Sequence, residues 1–305
     1  MSHLLGSVSL LIPCYNAESY MSDLLKSIEM LDTGFEEIIF YDDGSNDQTV
    51  KLIRQAGMTI IDGKENRGVA FARNRLMEHA SCEWLHFQDA DDPINPEFLN
   101  VMQPLLRSNI DVAVCDTDWI DDKSSERLIA WRYRPDALRA DPLLSNLRMG
   151  IGCNSMVIRS QILADLGGFD ETMRMWEDAD LHIRLAAAGA RYDALGAVAA
   201  ISLRRDSSLS HDYRTSWNSR LAALERYAKT LPQRVLPEIA AQAEIAAREL
   251  LVYHDNISAK RALTLNHQLG ANAPYSRNPV IRVTHILLGA WAALRLQTFL
   301  RRRAA

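Results

Sequence analysis

The 305-residue chain has only four cysteines, Cys14, Cys82, Cys115 and Cys153, and they are widely spread. Their spacing lacks the close pairs of a zinc site, and their density is far below that of a secreted disulfide scaffold. Buried free thiols in a reducing compartment are the expected state. The opening residues carry no basic segment followed by a long apolar one, so no secretory signal is read there. No uncharged apolar run reaches the length of a membrane-spanning helix. Together these absences favour the cytoplasm. Neither a repeat period nor a low-complexity stretch is present, which argues against a solenoid. The formal net charge of -5 gives no global attraction to nucleic acid or acidic lipid, so such binding needs a local patch, and the C-terminus supplies one.

What is present is an ordinary globular composition, 48% hydrophobic and 24% charged. Its length suits two domains, or one large domain with an appendage. Strands and helices alternate at first. Residues 8–12 form a short apolar run stopped by Pro13, and residues 20–31 place Met21, Leu24, Leu25 and Ile28 at helical spacing. The pattern repeats with a strand over 37–41, a break at Asp42-Asp43-Gly44-Ser45, a helix over 47–55 and a strand over 59–61. A helix over 68–79, a strand over 84–87, a helix over 96–106 and a strand over 112–114 follow. Right-handed crossovers between such units give an α/β fold, a mostly parallel sheet with helices on both faces. Ligands of such sheets bind beyond the carboxyl ends of the strands, where the loops 13–16, 42–45 and 89–92 should gather. From Thr215 the texture turns to Ala-, Leu- and Arg-rich helices broken at Pro232, Pro237, Pro274 and Pro279. The expected domains are therefore 1–213 and a helical region, 214–305.

Phe87-Gln88-Asp89-Ala90-Asp91-Asp92-Pro93 is the most informative stretch, with three carboxylates directly after an apolar, aromatic strand. Clustered carboxylates repel one another and lose hydration unless a cation, a donor network or open solvent compensates them. Mg²⁺ and Mn²⁺ take oxygen ligands, and Mg²⁺ typically uses one or two carboxylates plus substrate phosphates. An acidic turn that caps the next element is the other reading, and the stretch alone does not choose between them.

Several segments together resemble the inverting family 2 glycosyltransferases, which have the nucleotide-sugar-binding GT-A fold. They are Val8-Ser9-Leu10-Leu11-Ile12-Pro13-Cys14-Tyr15-Asn16, Asp42-Asp43-Gly44-Ser45-Asn46-Asp47-Gln48-Thr49, Asn66-Arg67-Gly68-Val69-Ala70-Phe71-Ala72-Arg73-Asn74, Asp89-Ala90-Asp91-Asp92, and Gly167-Gly168-Phe169-Asp170 leading to Glu177-Asp178-Ala179-Asp180-Leu181. The resemblance spans residues 8 to about 211, roughly two thirds of the chain. It implies that Asp43 contacts a uracil N–H, with Tyr15 stacking on the base beside the main chain of Pro13. Asp42 orients the turn. Arg73, at the start of a helix, is a diphosphate contact, while Asn74 is open to a structural reading. Asp89 is assigned to the nucleotide and Asp91 to the metal, with Asp92 replacing Asp91 if the register differs by one.

An inverting transfer also needs a base for the acceptor hydroxyl, and Asp178 is the candidate. The other reading is that Glu177 and Asp178 complement the dipole at the start of a helix over 179–188, and both can hold together; Asp180 is read as a helix-start charge with Arg184, one turn on, as its partner. Trp176 lines either an acceptor pocket or the core. One departure matters: relatives carry a metal-site histidine where this chain has Arg205, and His211 could replace it only if the loop folds differently. The Gln-x-x-Arg-Trp signature of processive synthases is absent, which favours single addition.

The expected activity is metal-dependent inverting transfer from a nucleotide-sugar, a UDP-sugar, to a hydroxyl of a glycan or glycolipid, as in cell-surface polysaccharide synthesis. Mn²⁺ or Mg²⁺ is the expected cofactor. A non-catalytic nucleotide-sugar-binding scaffold is the alternative. A sugar-nucleotide nucleotidyltransferase ranks lower, because Pro13-Cys14-Tyr15-Asn16 stands where its Gly-rich phosphate loop belongs. Residues 281–303 combine Trp291 and aliphatic residues with Arg282, Arg295 and Arg301-Arg302-Arg303. They suit peripheral contact with an anionic inner membrane face, or helix packing and homo-oligomerisation. No nucleic-acid partner is expected.

Overall fold

A computed structural model of the chain describes residues 6–205, 212–271 and 276–304. Two compact units divide it, Met1–Ser208 and Leu209–Ala305. In the first, one eight-stranded sheet runs through the described residues. An interior strand, β1 (Val8–Cys14), is buried along its whole length. A strand covered on both faces has no reason to alternate apolar and polar residues, which is why this one reads as a continuous apolar run. It pairs in parallel with β2 (Glu37–Asp42) and with β4 (Trp84–Phe87), and β2 pairs in parallel with β3 (Thr59–Asp62). The helices of this part are α1 (Glu18–Glu29), α2 (Thr49–Gln55), α3 (Val69–His79) and α4 (Phe98–Leu106).

The other half of the sheet is mixed. Here β5 (Val112–Asp121) pairs with β6 (Arg127–Trp131) antiparallel and with β8 (Tyr192–Arg204) parallel. The short β7 (Met156–Arg159) lies antiparallel between β4 and β5. Between these strands lie α5 (Pro135–Ala140), α6 (Pro142–Arg148), α7 (Ser160–Leu166) and α8 (Glu177–Ala187). Side-chain alternation on β1 separates two cores. Leu10 and Ile12 join Met21, Leu24, Ile53, Phe98 and Met102, while Leu11 joins Phe71, Leu76, Leu163 and Leu181.

The expected elements appear with shifts of one or two residues at several ends, and β5 is ten residues long where three were expected. Its outer half carries Asp116, Thr117 and Asp118, so its apolar pattern fades while the strand continues against β6 and β8. β6, β7 and β8 carry no clear strand signal in the sequence. β7 has only four residues, and β8 carries four alanines and a glycine, which have little strand preference. All four cysteines are buried and unbridged.

The second unit contains α9 (Tyr213–Thr230), α10 (Leu236–Val252), α11 (Asn256–Gln268) and α12 (Pro279–Ala304). Ala240, Ala243, Ala246 and Ala247 of α10 are buried, and small side chains of this kind let neighbouring helices approach closely. Asp212 and Asp255 cap α9 and α11 through the amides of Thr215 and Ser258. Pro232, Pro237 and Pro279 fall at helix boundaries, as their missing amides require. Pro274 lies outside the described residues.

Candidate functional site

Because β1, β2 and β4 are parallel neighbours, the loops after Cys14, Asp42 and Phe87 leave the sheet at one end, beyond the carboxyl ends of the strands. Hydrogen bonds tie the first two loops together. The Asp43 amide donates to the Cys14 carbonyl at 2.8 Å, the Asn16 amide to Ser45 Oγ at 2.8 Å, and the Asn46 amide to Asn16 Oδ1 at 2.9 Å. Asp42 does what turn chemistry predicts, its Oδ2 accepting from the amides of Gly44 and Ser45. Gly44 has φ +80°, and a Cβ there would lie 2.8 Å from the Glu65 backbone, so a side chain is excluded.

Asp43 reaches the loop before α3, accepting from the Arg67 amide at 3.1 Å and the Gly68 amide at 2.7 Å. Burial raises its pKa, while those two amides pull the other way. Pro13 is buried within β1. Tyr15, two residues on, stays 46% exposed.

Arg73 is buried on α3, and its guanidinium is engaged by protein. One nitrogen donates to Glu177 Oε1 at 2.6 Å and the other to Asp89 Oδ1 at 2.7 Å. The group that the sequence offers to a diphosphate thus bridges the acidic loop after β4 to the start of α8. The sequence reading missed this bridge, because Arg73 and Glu177 lie 104 residues apart.

The three acidic-loop carboxylates differ. Asp92 is buried, with Oδ1 accepting from the Leu203 amide at 2.7 Å, so it ties the loop to β8. Asp89 and Asp91 keep 39% and 40% of their side chains exposed, Asp89 with one oxygen held by Arg73. Asp91 presents the open carboxylate. Burial and the neighbouring Asp89 raise its pKa, and Arg205 lowers it. Arg205 Nη1 lies 3.6 Å from Asp91 and 3.9 Å from Asp92, and its Nε lies 3.6 Å from Asp122. The guanidinium also stands 4.7 Å from the Tyr20 ring. These residues line a cavity of about 210 Å³ below the loop. Arg205 therefore places a fixed cation among three carboxylates, at the position where the resemblance expects a histidine. His211 lies outside the described residues.

Among the described residues no three His, Cys, Asp or Glu side chains form a metal cluster. The donor set fits a hard divalent ion in another way. Exposed carboxylate oxygens on Asp91 and Asp89 can supply one or two ligands, which is what Mg²⁺ takes from protein when a diphosphate supplies the rest.

At the start of α8, Trp176 holds a left-handed backbone, φ 71°, rare for a bulky residue and characteristic of constrained sites. It turns the chain so that Glu177 meets Arg73 while Asp178 stays partly exposed. Burial, then the charge of Glu177, push Asp178 up to about 7, with Arg73 and the Ala179 amide opposing them. That value is suited to taking a proton near neutrality.

The turn before α8 is pinned on both sides. Asn74 donates to the Phe169 carbonyl at 3.0 Å and accepts from the Phe169 amide at 2.8 Å. Gly168, at φ +74°, leaves room for it, since a Cβ there would lie 2.4 Å from Asn74 Oδ1. Arg184 donates to Asp180 at 2.6 Å, the ion pair expected from their spacing, and also to the Gly168 carbonyl.

Residues 9–163 match the model of the family described as Glycosyl transferase family 2. The uncharacterized glycosyltransferase YibD of Escherichia coli is 30% identical over 160 residues, 50% of this chain and 46% of that protein. The succinoglycan biosynthesis protein ExoU of Rhizobium meliloti is 29% identical over 210 residues, 62% and 60% of the two chains. This chain thus spans less than two thirds of either relative. Among solved structures, the mannosyltransferase PcManGT of Pyrobaculum calidifontis, in complex with GDP-Man and Mn²⁺, is similar with TM-score 0.60 and 17% identity, covering 96% of this chain and 83% of that one. S. aureus TarS 1–349 in complex with UDP-GlcNAc gives TM-score 0.57 and 17% identity, with 90% and 95% covered. These likenesses carry the fold, and the family match covers half the chain: it belongs to glycosyl transferase family 2.

Proposed function

We propose that the chain moves a sugar from a nucleotide-sugar, a UDP-sugar, to a hydroxyl of a glycan or glycolipid, inverting the anomeric centre. The observation that carries this reading is the Arg73 bridge. It fixes Asp89, on the nucleotide side, to Glu177, whose neighbour Asp178 has its pKa raised to about 7. A donor loop and a proton acceptor are thereby held in one frame, which a single-displacement transfer needs.

In this reading Tyr15 stacks on the base, and Asp43 reads it with the acceptor capacity left by the Arg67 and Gly68 amides. Asp91, with Asp89, would hold Mn²⁺ or Mg²⁺, which supplies charge neutralisation of the departing nucleoside diphosphate. Asp178 takes the acceptor hydroxyl's proton as that oxygen forms its bond to the anomeric carbon. The bond to phosphate breaks on the opposite face, its electron pair leaving with the diphosphate. Arg73 holds the two acidic segments in place. The donors named in the neighbouring structures, GDP-Man and UDP-GlcNAc, differ in base, so uracil here rests on Asp43 and Tyr15. The expected setting is polysaccharide synthesis, the process named for ExoU, and the expected location is the cytoplasm.

Asp178→Asn is the test. It should lower transfer at least about a thousandfold while donor affinity changes less than about threefold. Near-normal turnover by this variant would remove the base assignment. Arg205 among the acidic-loop carboxylates favours a second reading, a nucleotide-sugar-binding scaffold without turnover. Release of free nucleoside diphosphate from a donor with Mn²⁺ separates the two.

A further inference from the structure

Residues 256–305 hold eight of the chain's 34 Lys and Arg and none of its 39 Asp and Glu. Residues 1–255 are left with 26 basic against 39 acidic side chains, so the sign of charge reverses along the sequence. Within the basic stretch, α12 is two helices. Gly289 breaks it at φ 81°, ψ 173°.

The C-terminal part, after the break, packs within its own unit. Ala293, Leu294 and Thr298 are buried, Arg301 donates to Glu249 of α10 at 2.8 Å, and Lys260 of α11 stands 5.2 Å from the Trp291 ring. The N-terminal part, residues 279–288, differs. Val280, Val283, Ile286, Leu287 and Leu288 are 52% to 81% exposed, and only Ile281 of its aliphatic residues is buried. Arg282 is exposed on the same ten residues, with Arg277 just ahead of them.

We propose that residues 279–288 form an arm that docks on an anionic lipid surface and lies in it without crossing it. Exposed aliphatic side chains gain by entering the headgroup boundary, and the exposed Arg277 and Arg282, in a stretch without acidic residues, are attracted to anionic lipid. The stretch Pro279–Arg301 is long and apolar enough, by length and composition alone, to cross a membrane. Its geometry opposes a crossing. A helix of ten residues is about 15 Å long, half of a hydrocarbon core of about 30 Å. Beyond Gly289 the next turns are packed against protein and carry Arg295. This docking is independent of the sugar-transfer reading. It names the phase that binds the arm, and the sugar chemistry can fail without affecting it.

The test is flotation of the full chain with vesicles of phosphatidylcholine alone and of phosphatidylcholine mixed with phosphatidylglycerol. Wild type should float with the mixed vesicles, bind neutral ones about tenfold more weakly, and be released by salt or carbonate wash. Ile286→Glu with Leu287→Glu should cut binding at least about tenfold, and Arg282→Glu less, with circular dichroism unchanged because these side chains are exposed. Three results overturn the proposal: no flotation of wild type, resistance to carbonate extraction, which indicates a crossing helix, or a wild-type dimer in solution that the double variant turns into a monomer, which means a second copy covers the arm.

Discussion

Asp178 carries two consequences of a pKa raised to about 7. A base must be deprotonated, so kcat/KM should rise with pH through about 7 and level off above it. Because Asp178 and Glu177 are adjacent, the observed value belongs to the pair. The stability effect runs the other way. An unfolded Asp loses its proton near pH 4, so between about 4 and 7 the folded chain holds a proton that the unfolded chain has released. Stability conferred by this group therefore falls as pH rises across that window. Asp178→Asn should gain stability relative to wild type at pH 8 and show little difference at pH 4, as urea melts at both pH values would record. An equal difference at both would contradict the raised pKa. Arg205 supports a second expectation. Its charge already offsets Asp91, Asp92 and Asp122, so a divalent ion at Asp91 meets a resident competitor. Arg205→Ala should tighten Mn²⁺ binding about tenfold, equivalent to about 1.4 kcal/mol, measured by the loss of the free-ion paramagnetic resonance signal. Unchanged or weaker Mn²⁺ binding would instead place the ion elsewhere.

At the level of elements, the link from α3 to the turn before α8 decides whether the site has a fixed shape. Asn74 satisfies both backbone groups of Phe169 and also donates to Glu171 at 3.0 Å. Asn74→Ala leaves the buried Phe169 groups without these partners and should cost about 2 to 4 kcal/mol in a denaturant melt. It should also lower kcat, since the turn positions Trp176 and Asp178. A stable variant with normal kcat would show that α8 is held by Arg73 and Arg184 alone. This clamp also shows what a sequence can disclose. β1, β2 and β4 were legible because each is a short apolar run closed by turn residues, and the acidic loop was legible because its three carboxylates are contiguous. The Asp180–Arg184 pair was legible from its i,i+4 spacing. Arg205 was legible as the replacement for a metal-site histidine, but its carboxylate partners, the Arg73 bridge and the Asn74 clamp were not, since each joins residues brought together only by the fold. β7 and β8 are part of that fold, and four residues in one case and an Ala-rich run in the other left them without a periodic signal.

For the whole molecule, the first unit holds every residue assigned to the donor, so donor binding is linked to the stability of that unit. A ligand that binds only the folded state adds RT ln(1 + [L]/Kd), about 2.7 kcal/mol at a hundred times Kd. For a unit of about 200 residues, 1 kcal/mol moves Tm by about 2 to 4 °C, so a shift of roughly 5 to 10 °C is expected. UDP with Mn²⁺ should produce it, and UDP alone should produce a smaller shift because Asp89 and Asp91 then face the diphosphate without an intervening cation. GDP at the same concentration should move Tm by less than about 2 °C, if Asp43 and Tyr15 read a pyrimidine as proposed. If the second unit melts separately, its transition should stay where it is under all three conditions, because none of the donor residues belongs to it. Equal shifts with UDP and GDP would remove the uracil reading while leaving a diphosphate site. A shift confined to the second unit's transition would move the donor site away from the carboxyl ends of the strands altogether.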